Sequence, residues 1–170
     1  MKTYFKKIIF FYIILISTVY ASSYEKVSFI DMEFIIKNSN AGKKIIEKIN
    51  DLNNENIKKL KIKEQELKKK EESIKKKQNI ISKEEYENEI IKFKVQINEF
   101  RNEKDIMVKN LNDFKEKELG ILYKKMNPII QKYMDNNKIQ ILLDVKNIIV
   151  GKTTSDITKD IIEEINKQIN

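Results

Sequence analysis

From Tyr86 onward apolar and aromatic residues fall four and three apart, at Tyr86, Ile90, Phe93, Ile97, Phe100, Met107, Leu111, Phe114 and Ile121, with breaks at Lys104 and Glu118. That spacing keeps one stripe on one side of a helix and predicts a long heptad seam. Upstream, Leu60, Leu67, Ile74 and Ile81 recur every seven residues, while the half-heptad positions between them are mostly Lys, Glu or Gln. The two stretches therefore read as an outward and a return helix, of which the outward one brings only half a seam. Its base is richer, with Ile45, Ile46, Ile49 and Leu52 forming a wide stripe. Between the two, Ser82-Lys83-Glu84-Glu85 has the form of a capping box, which places the turn near Asn79 to Ser82 and starts a new helix there. At 1.5 Å per residue each arm would reach roughly 55–80 Å.

The flanks follow a different period. Glu25 to Asp31 alternates as a strand does, with Val27 and Phe29 on one face, and Met32 to Lys37 crowds Phe34, Ile35 and Ile36 in the manner of a short helical turn. Asn38 to Gly42 is expected to break it, with Gly42 supplying a permissive backbone. On the far side, Pro128 interrupts a continuous pattern (Leu119, Leu122, Met126, Ile129, Ile130, Tyr133), so a kink or restart is expected, a hinge where arm meets body. Asp135-Asn136-Asn137 ends that helix. Ile139, Ile141 and Leu143 alternate as a second strand, Ile148 to Val150 form another short apolar run, and Thr158 is positioned to cap a last helix whose inner face is Ile161, Ile165 and Ile169.

These elements predict an α+β chain, mostly α. Residues 22–42 and 128–170 form a small β-rich body, and residues 43–127 an antiparallel coiled-coil hairpin with its tip near 79–83. The body holds on the order of 60 residues, close to the size at which a single core is marginal. Association of copies is the expected remedy, through the strand faces Val27/Phe29 and Ile139/Ile141/Leu143.

Composition narrows the chemistry. The chain of 170 residues has no Cys and no His, which removes disulfides, thiol nucleophiles, imidazole bases and the usual zinc ligands. Its first 21 residues read as an export signal: Lys2, Lys6 and Lys7, an apolar run from Ile8 to Ile16, and a peptidase site ending at Ala21. The apolar run is shorter than the ~20 residues that a spanning helix needs, so cleavage after Ala21 is expected. Loss of that segment lowers the net charge from +8 to +5. What remains is unevenly placed. Between Lys43 and Ile80 stand 13 lysines against 7 acidic residues, concentrated in Lys68-Lys69-Lys70 and Lys75-Lys76-Lys77, whereas Lys83 to Asn127 is balanced at 10 and 10.

No catalytic constellation emerges. Gly151-Lys152-Thr153 has Lys146 where a phosphate loop needs its first glycine, so no backbone nest can form. Neighbouring carboxylates such as Glu71 and Glu72 diverge on a helix and lack an apolar pocket to raise a pKa. The chain is expected to be no enzyme and to need no cofactor or metal.

Val27 to Asp31, then Ser39, Gly42 and Lys43, a long charged hairpin, Ile141 to Asp144, Asn147-Ile148-Ile149 and Asp156-Ile157-Thr158 together resemble the Skp/OmpH family of periplasmic chaperones. The likeness covers nearly the whole chain after the signal, and rests on order and spacing rather than on one motif. It implies a homotrimer in the periplasm, whose bodies associate and whose three arms enclose a cavity holding unfolded outer-membrane proteins without ATP. One departure is that this chain has a single arginine, Arg101, so no family lipid-contact patch maps onto it.

Within that reading, Tyr86, Phe93, Phe100, Met107 and Phe114 serve first as the seam between the arms. Where the outward arm supplies half a stripe, their edges are left for unfolded apolar chain. Lys68 to Lys70 and Lys75 to Lys77 form a solvated face, or one that attracts anionic lipid or acidic clients over about 8 Å at physiological salt. The rival reading is an exported basic coiled coil with a structural, envelope or nucleic-acid role, which the lysine surplus alone supports. Export and the lack of an aromatic-glycine motif weigh against nucleic acid, and none is expected as a partner.

Overall fold

The computed structural model describes residues 26–169. The expected leader and its cleavage after Ala21 lie outside the described residues, as does Glu25. Strand β1 (Lys26–Ile30) leads into helix α1 (Met32–Asn38), followed by α2 (Asn40–Lys77), α3 (Lys83–Asn136), β2 (Ile139–Asp144) and α4 (Thr158–Gln168). Two 3-10 turns, Val145–Asn147 and Thr153–Ser155, bracket the loop before α4. At 1.5 Å per residue α2 is about 57 Å long and α3 about 81 Å.

The corner between α1 and α2 is tighter than the sequence suggests. A single residue, Ser39, separates the helices, so the outward helix begins at Asn40 rather than Lys43. Ser39 is fully buried, donates its amide to the Ile35 carbonyl at 2.8 Å, and accepts from the Gly42 amide at 3.2 Å. Gly42 is therefore helical, and no glycine among the described residues has a positive φ. Its role is space: a Cβ there would lie 1.8 Å from the Ile36 carbonyl oxygen.

The strands pair in parallel, and the whole hairpin forms the crossover between them. On its other edge β1 accepts the Ile157 amide at the Phe29 carbonyl, 3.0 Å away. The pairing shifts between Lys26, opposite Ile139, and Val27, opposite Ile141, which leaves Gln140 as an extra residue. Such a bulge reverses the alternation. Ile139 consequently turns inward and is buried in the chain's own core, while Ile141 and Leu143 turn outward and are 43% and 39% exposed. The sequence-based grouping of Ile139 with the association surface is thus corrected. On β1 the inward residues are Ser28 and Ile30, and Val27 and Phe29 lie on the outer face. Val27 pairs with Ile141 and Phe29 with Leu143, so those four side chains form one outward patch.

Helix α3 passes through Pro128 without a restart. Pro128 and Lys124 are both exposed, so water can satisfy the carbonyl that loses its amide partner. The body begins well before the proline: Leu122, Met126, Ile129 and Ile130 join Ile35, Ala41, Ile157, Ile161 and Ile165 in one core. The last helix presents Ile161 and Ile165 inward as expected. Thr158 does not cap it, however. Its hydroxyl accepts from the Asp31 amide at 2.9 Å and donates to Asp156 Oδ1, tying the start of α4 to the end of β1. Tyr133 ties the same helix to α3 by donating to Asp160 Oδ2 at 2.9 Å, and burial with that carboxylate pushes its pKa up to about 12.

Candidate functional site

Among the described residues the hairpin is the one extended feature that the body does not absorb. Its tip is closed as the sequence predicts: Ser82 accepts from the Glu85 amide at 3.2 Å, and Glu85 accepts in return from the Ser82 amide at 3.1 Å. Those two bonds account for amides that a helix start otherwise leaves to water. The Ser82 amide, joined by the Ser82 hydroxyl donating to the same Oε2 at 2.9 Å, also holds the Glu85 carboxyl below its usual pKa.

The ion pair between Lys63 and Glu103 marks the register of the arms. Counting outward along the antiparallel pair, Ile81, Ile74, Leu67 and Leu60 come level with Tyr86, Phe93, Phe100 and Met107. Each once-per-heptad aliphatic residue on α2 thus meets one member of the aromatic series. Ile74 and Phe93 are buried, and Leu60, Leu67, Ile81, Tyr86, Phe100 and Met107 are half-buried. Phe114, also half-buried, comes level with Asn53, where the aliphatic series on α2 has lapsed.

Between these layers α2 offers Asn56, Lys63, Lys70 and Lys77, the first three half-buried. Lys63, Leu67 and Lys70 share a hollow with Gln96 and Glu99. The Gln96 Oε1 is buried there without a hydrogen-bond partner, a cost of about 1–3 kcal/mol in general terms. These polar layers loosen the middle of the arm. Replacing Lys70 with Leu is expected to raise the melting temperature by about 3 °C, the equivalent of ~1 kcal/mol of added apolar burial. Thermal denaturation followed by circular dichroism measures this, and an unchanged or lowered midpoint would contradict a half-seam that is short of apolar contact.

The lysine clusters are not uniform. Lys68, Lys69, Lys75, Lys76 and Lys77 are exposed, whereas Lys70 is half-buried at the seam. Lys75 bonds Glu71 at 2.7 Å, which raises its pKa. Among the described residues the other five make no ion pair. Among the described residues no three carboxylates gather closely enough to hold a metal ion.

The sequence reading missed a second apolar surface. Ile91, Val95 and Ile106 are 59%, 51% and 58% exposed, and their heptad positions put them on the side of α3 away from the seam. On α2, Ile57 and Ile62 are likewise 55% and 50% exposed. The signal was present in the pattern. Aliphatic residues stood where a purely solvated face carries Lys or Glu, but a search for the seam period passes over them.

Comparison with known proteins bears on this architecture. No curated protein sequence matches the chain. Among solved structures, the crystal structure of a candidate outer membrane chaperone (OmpH-like) from Caulobacter crescentus CB15 superposes with a TM-score of 0.77, covering 85% of each chain at 17% identity. That likeness is one of fold, a mostly helical chain with a small β part. The family model described as outer membrane protein (OmpH-like) matches residues 26–165, from the first strand into the last helix. With so much of its length accounted for, the chain belongs to the OmpH-like family.

Proposed function

We propose that this chain is an ATP-independent holdase that keeps unfolded outer-membrane proteins from aggregating in the periplasm. The observation that carries the reading is a hairpin far longer than its body requires, with bare aliphatic side chains outside its own packing seam. A buried apolar side chain stabilises its owner, whereas an exposed one remains available to others. Ile91, Val95 and Ile106 offer weak, non-directional contacts, and the half-buried ring edges of Tyr86, Phe100 and Phe114 add to them. Many such contacts retain a client by avidity while each one breaks easily, so release needs no nucleotide. The exposed lysines near the tip attract acidic segments and anionic lipid surfaces at short range.

Three copies make the arms into a container. Val27, Phe29, Ile141 and Leu143 form an outward apolar patch on a two-stranded sheet, and the small body gains most from covering it with other copies. The family resemblance supports a trimer as the number. Residues 22–170, purified without the leader, are expected to abolish the scattering of a porin diluted from urea at one trimer per porin, with no nucleotide present. A scattering trace unchanged by the protein would overturn this function.

A further inference from the structure

The two helices of the arm meet unequally, and the inequality is greatest beyond Lys63. From Tyr86 to Phe100, helix α3 presents an apolar or aromatic side chain at every seam position: Tyr86, Ile90, Phe93, Ile97 and Phe100. Helix α2 and the turn after it answer with Leu67, Ile74 and Ile81, and set Lys70 level with Ile97 and Lys77 level with Ile90. Of all these side chains only Ile74 and Phe93 are buried.

Polar bonding does not make up the deficit. Among the described residues the contact of Lys63 with Glu103 is the only hydrogen bond or ion pair between the two helices, and nothing of either kind joins them from there to the tip. In the hollow that Gln96 shares with Lys63, Leu67 and Lys70, its buried Oε1 still lacks a donor. The two helices are also secured differently. Helix α3 starts at the reciprocal cap of Ser82 and Glu85 and runs unbroken into the core at Leu122 and Met126. Helix α2 stops at Gln78, where the cap is the Gln78 amide reaching the Lys75 carbonyl at 3.3 Å.

A helical segment with few buried contacts opens locally at a free energy well below that of global unfolding, and one this short has little helical stability of its own. An unfolded chain with apolar residues at both half-heptad positions would cover Ile90 and Ile97, where α2 sets lysines. It would therefore match α3 better than α2 does.

We infer that an apolar, heptad-patterned segment of an unfolded polypeptide displaces the end of α2 from Glu64 to Lys77 and docks on Tyr86, Ile90, Phe93, Ile97 and Phe100 of α3. The inference rests on the holdase reading and names a second contact surface for the same guest. Ile91 and Val95 lie on the outer side of that stretch of α3, so a client caught there is already beside the seam. The displaced part of α2 stays tethered, at Lys63 on one side and through Ser82 on the other. It is at hand to cover α3 again when the client leaves, so the exchange is reversible without nucleotide.

The chain has no cysteine, so a staple can be introduced on a clean background. Lys70→Cys and Gln96→Cys, both in the wall of the same hollow, are combined in residues 22–170 and bridged within one chain by a short bis-maleimide. Relative to the unbridged variant, the bridged one is expected to need about fivefold more protein to suppress the scattering of a porin diluted from urea, with an unchanged helical spectrum. Hydrogen exchange read by mass spectrometry locates the change in the parent chain. With unfolded porin bound, amides within Glu64 to Lys77 are expected to exchange about tenfold faster and those within Tyr86 to Phe100 about tenfold slower. A bridged chain that protects porin as well as the unbridged one would overturn the displacement and leave the holdase reading standing. Slower exchange on both helices at once would do the same, by putting the guest on the outer faces alone. A parent chain that leaves the scattering unchanged would overturn the holdase reading and the displacement with it.

Discussion

A chain carrying Gly42→Ala is expected not to reach the native state at 37 °C. The helix around position 42 has ordinary negative φ angles, so alanine, the best helix former, would be favoured there by local propensity alone. Packing reverses that preference. The new methyl group would stand 1.8 Å from the Ile36 carbonyl oxygen and 2.9 Å from the Ser39 hydroxyl. Neither neighbour can yield cheaply, because the first is helix backbone and the second is the buried cap of α2. Separating α1 from α2 would also uncover Ile35 and Ala41 in the core. Overpacking typically costs about 1–3 kcal/mol and more where backbone must move, a large part of what a body of this size has to spare. Circular dichroism should show lost body structure and, below the melting point, a shallow transition from residual hairpin helix. A two-state melt within a few degrees of the parent would contradict the account of this corner.

Replacing Ile91, Val95 and Ile106 together with glutamine is expected to remove most of the proposed holdase activity while leaving the fold intact. Glutamine suits an exposed helix better than isoleucine or valine, and all three sites lie outside the seam, so the melting temperature should hold or rise slightly. The quantity that should change is the amount of protein needed to suppress porin aggregation, by about tenfold if the three aliphatic contacts act in concert in each of three arms. Phe93→Ala makes the contrast. That ring is buried between the arms, and its removal should cost about 3 kcal/mol of hairpin stability while leaving the outer aliphatic face in place. If the triple variant protects porin as well as the parent does, client contact must be sought in the seam or between the bodies.

Much of the hairpin was legible because its cues are local. Period-seven residues on both arms, and a serine three places before a glutamate, state where helices begin and which sides meet, and the observed register pairs those same residues. The body was less legible because its decisions are made at a distance. Gly42 looked like a turn residue, since no local feature announces a carbonyl arriving from the preceding helix. The alternation of Ile139, Ile141 and Leu143 looked continuous, since the extra residue at Gln140 becomes visible only when β1 is laid beside it. Pro128 looked like a joint, yet an exposed proline on a helix already fixed by Leu122, Met126 and Ile130 on its inner side does not interrupt it. Of the candidate surfaces, the aromatic series was found by its period, while the bare aliphatic residues were missed because they follow none.

The continuity of α3 has a mechanical consequence. One rod carries about 55 Å of free length from Lys83 to Leu119 and about 25 Å embedded from Gly120 to Asn136. It therefore works as an oar held in a rowlock at Leu122 and Met126. A sideways pull on the blade arrives at the inboard end with roughly twofold leverage, pressing on Tyr133 and through it on the last helix. Any such load would be felt first inside the hull, where the inboard end bears on the last helix.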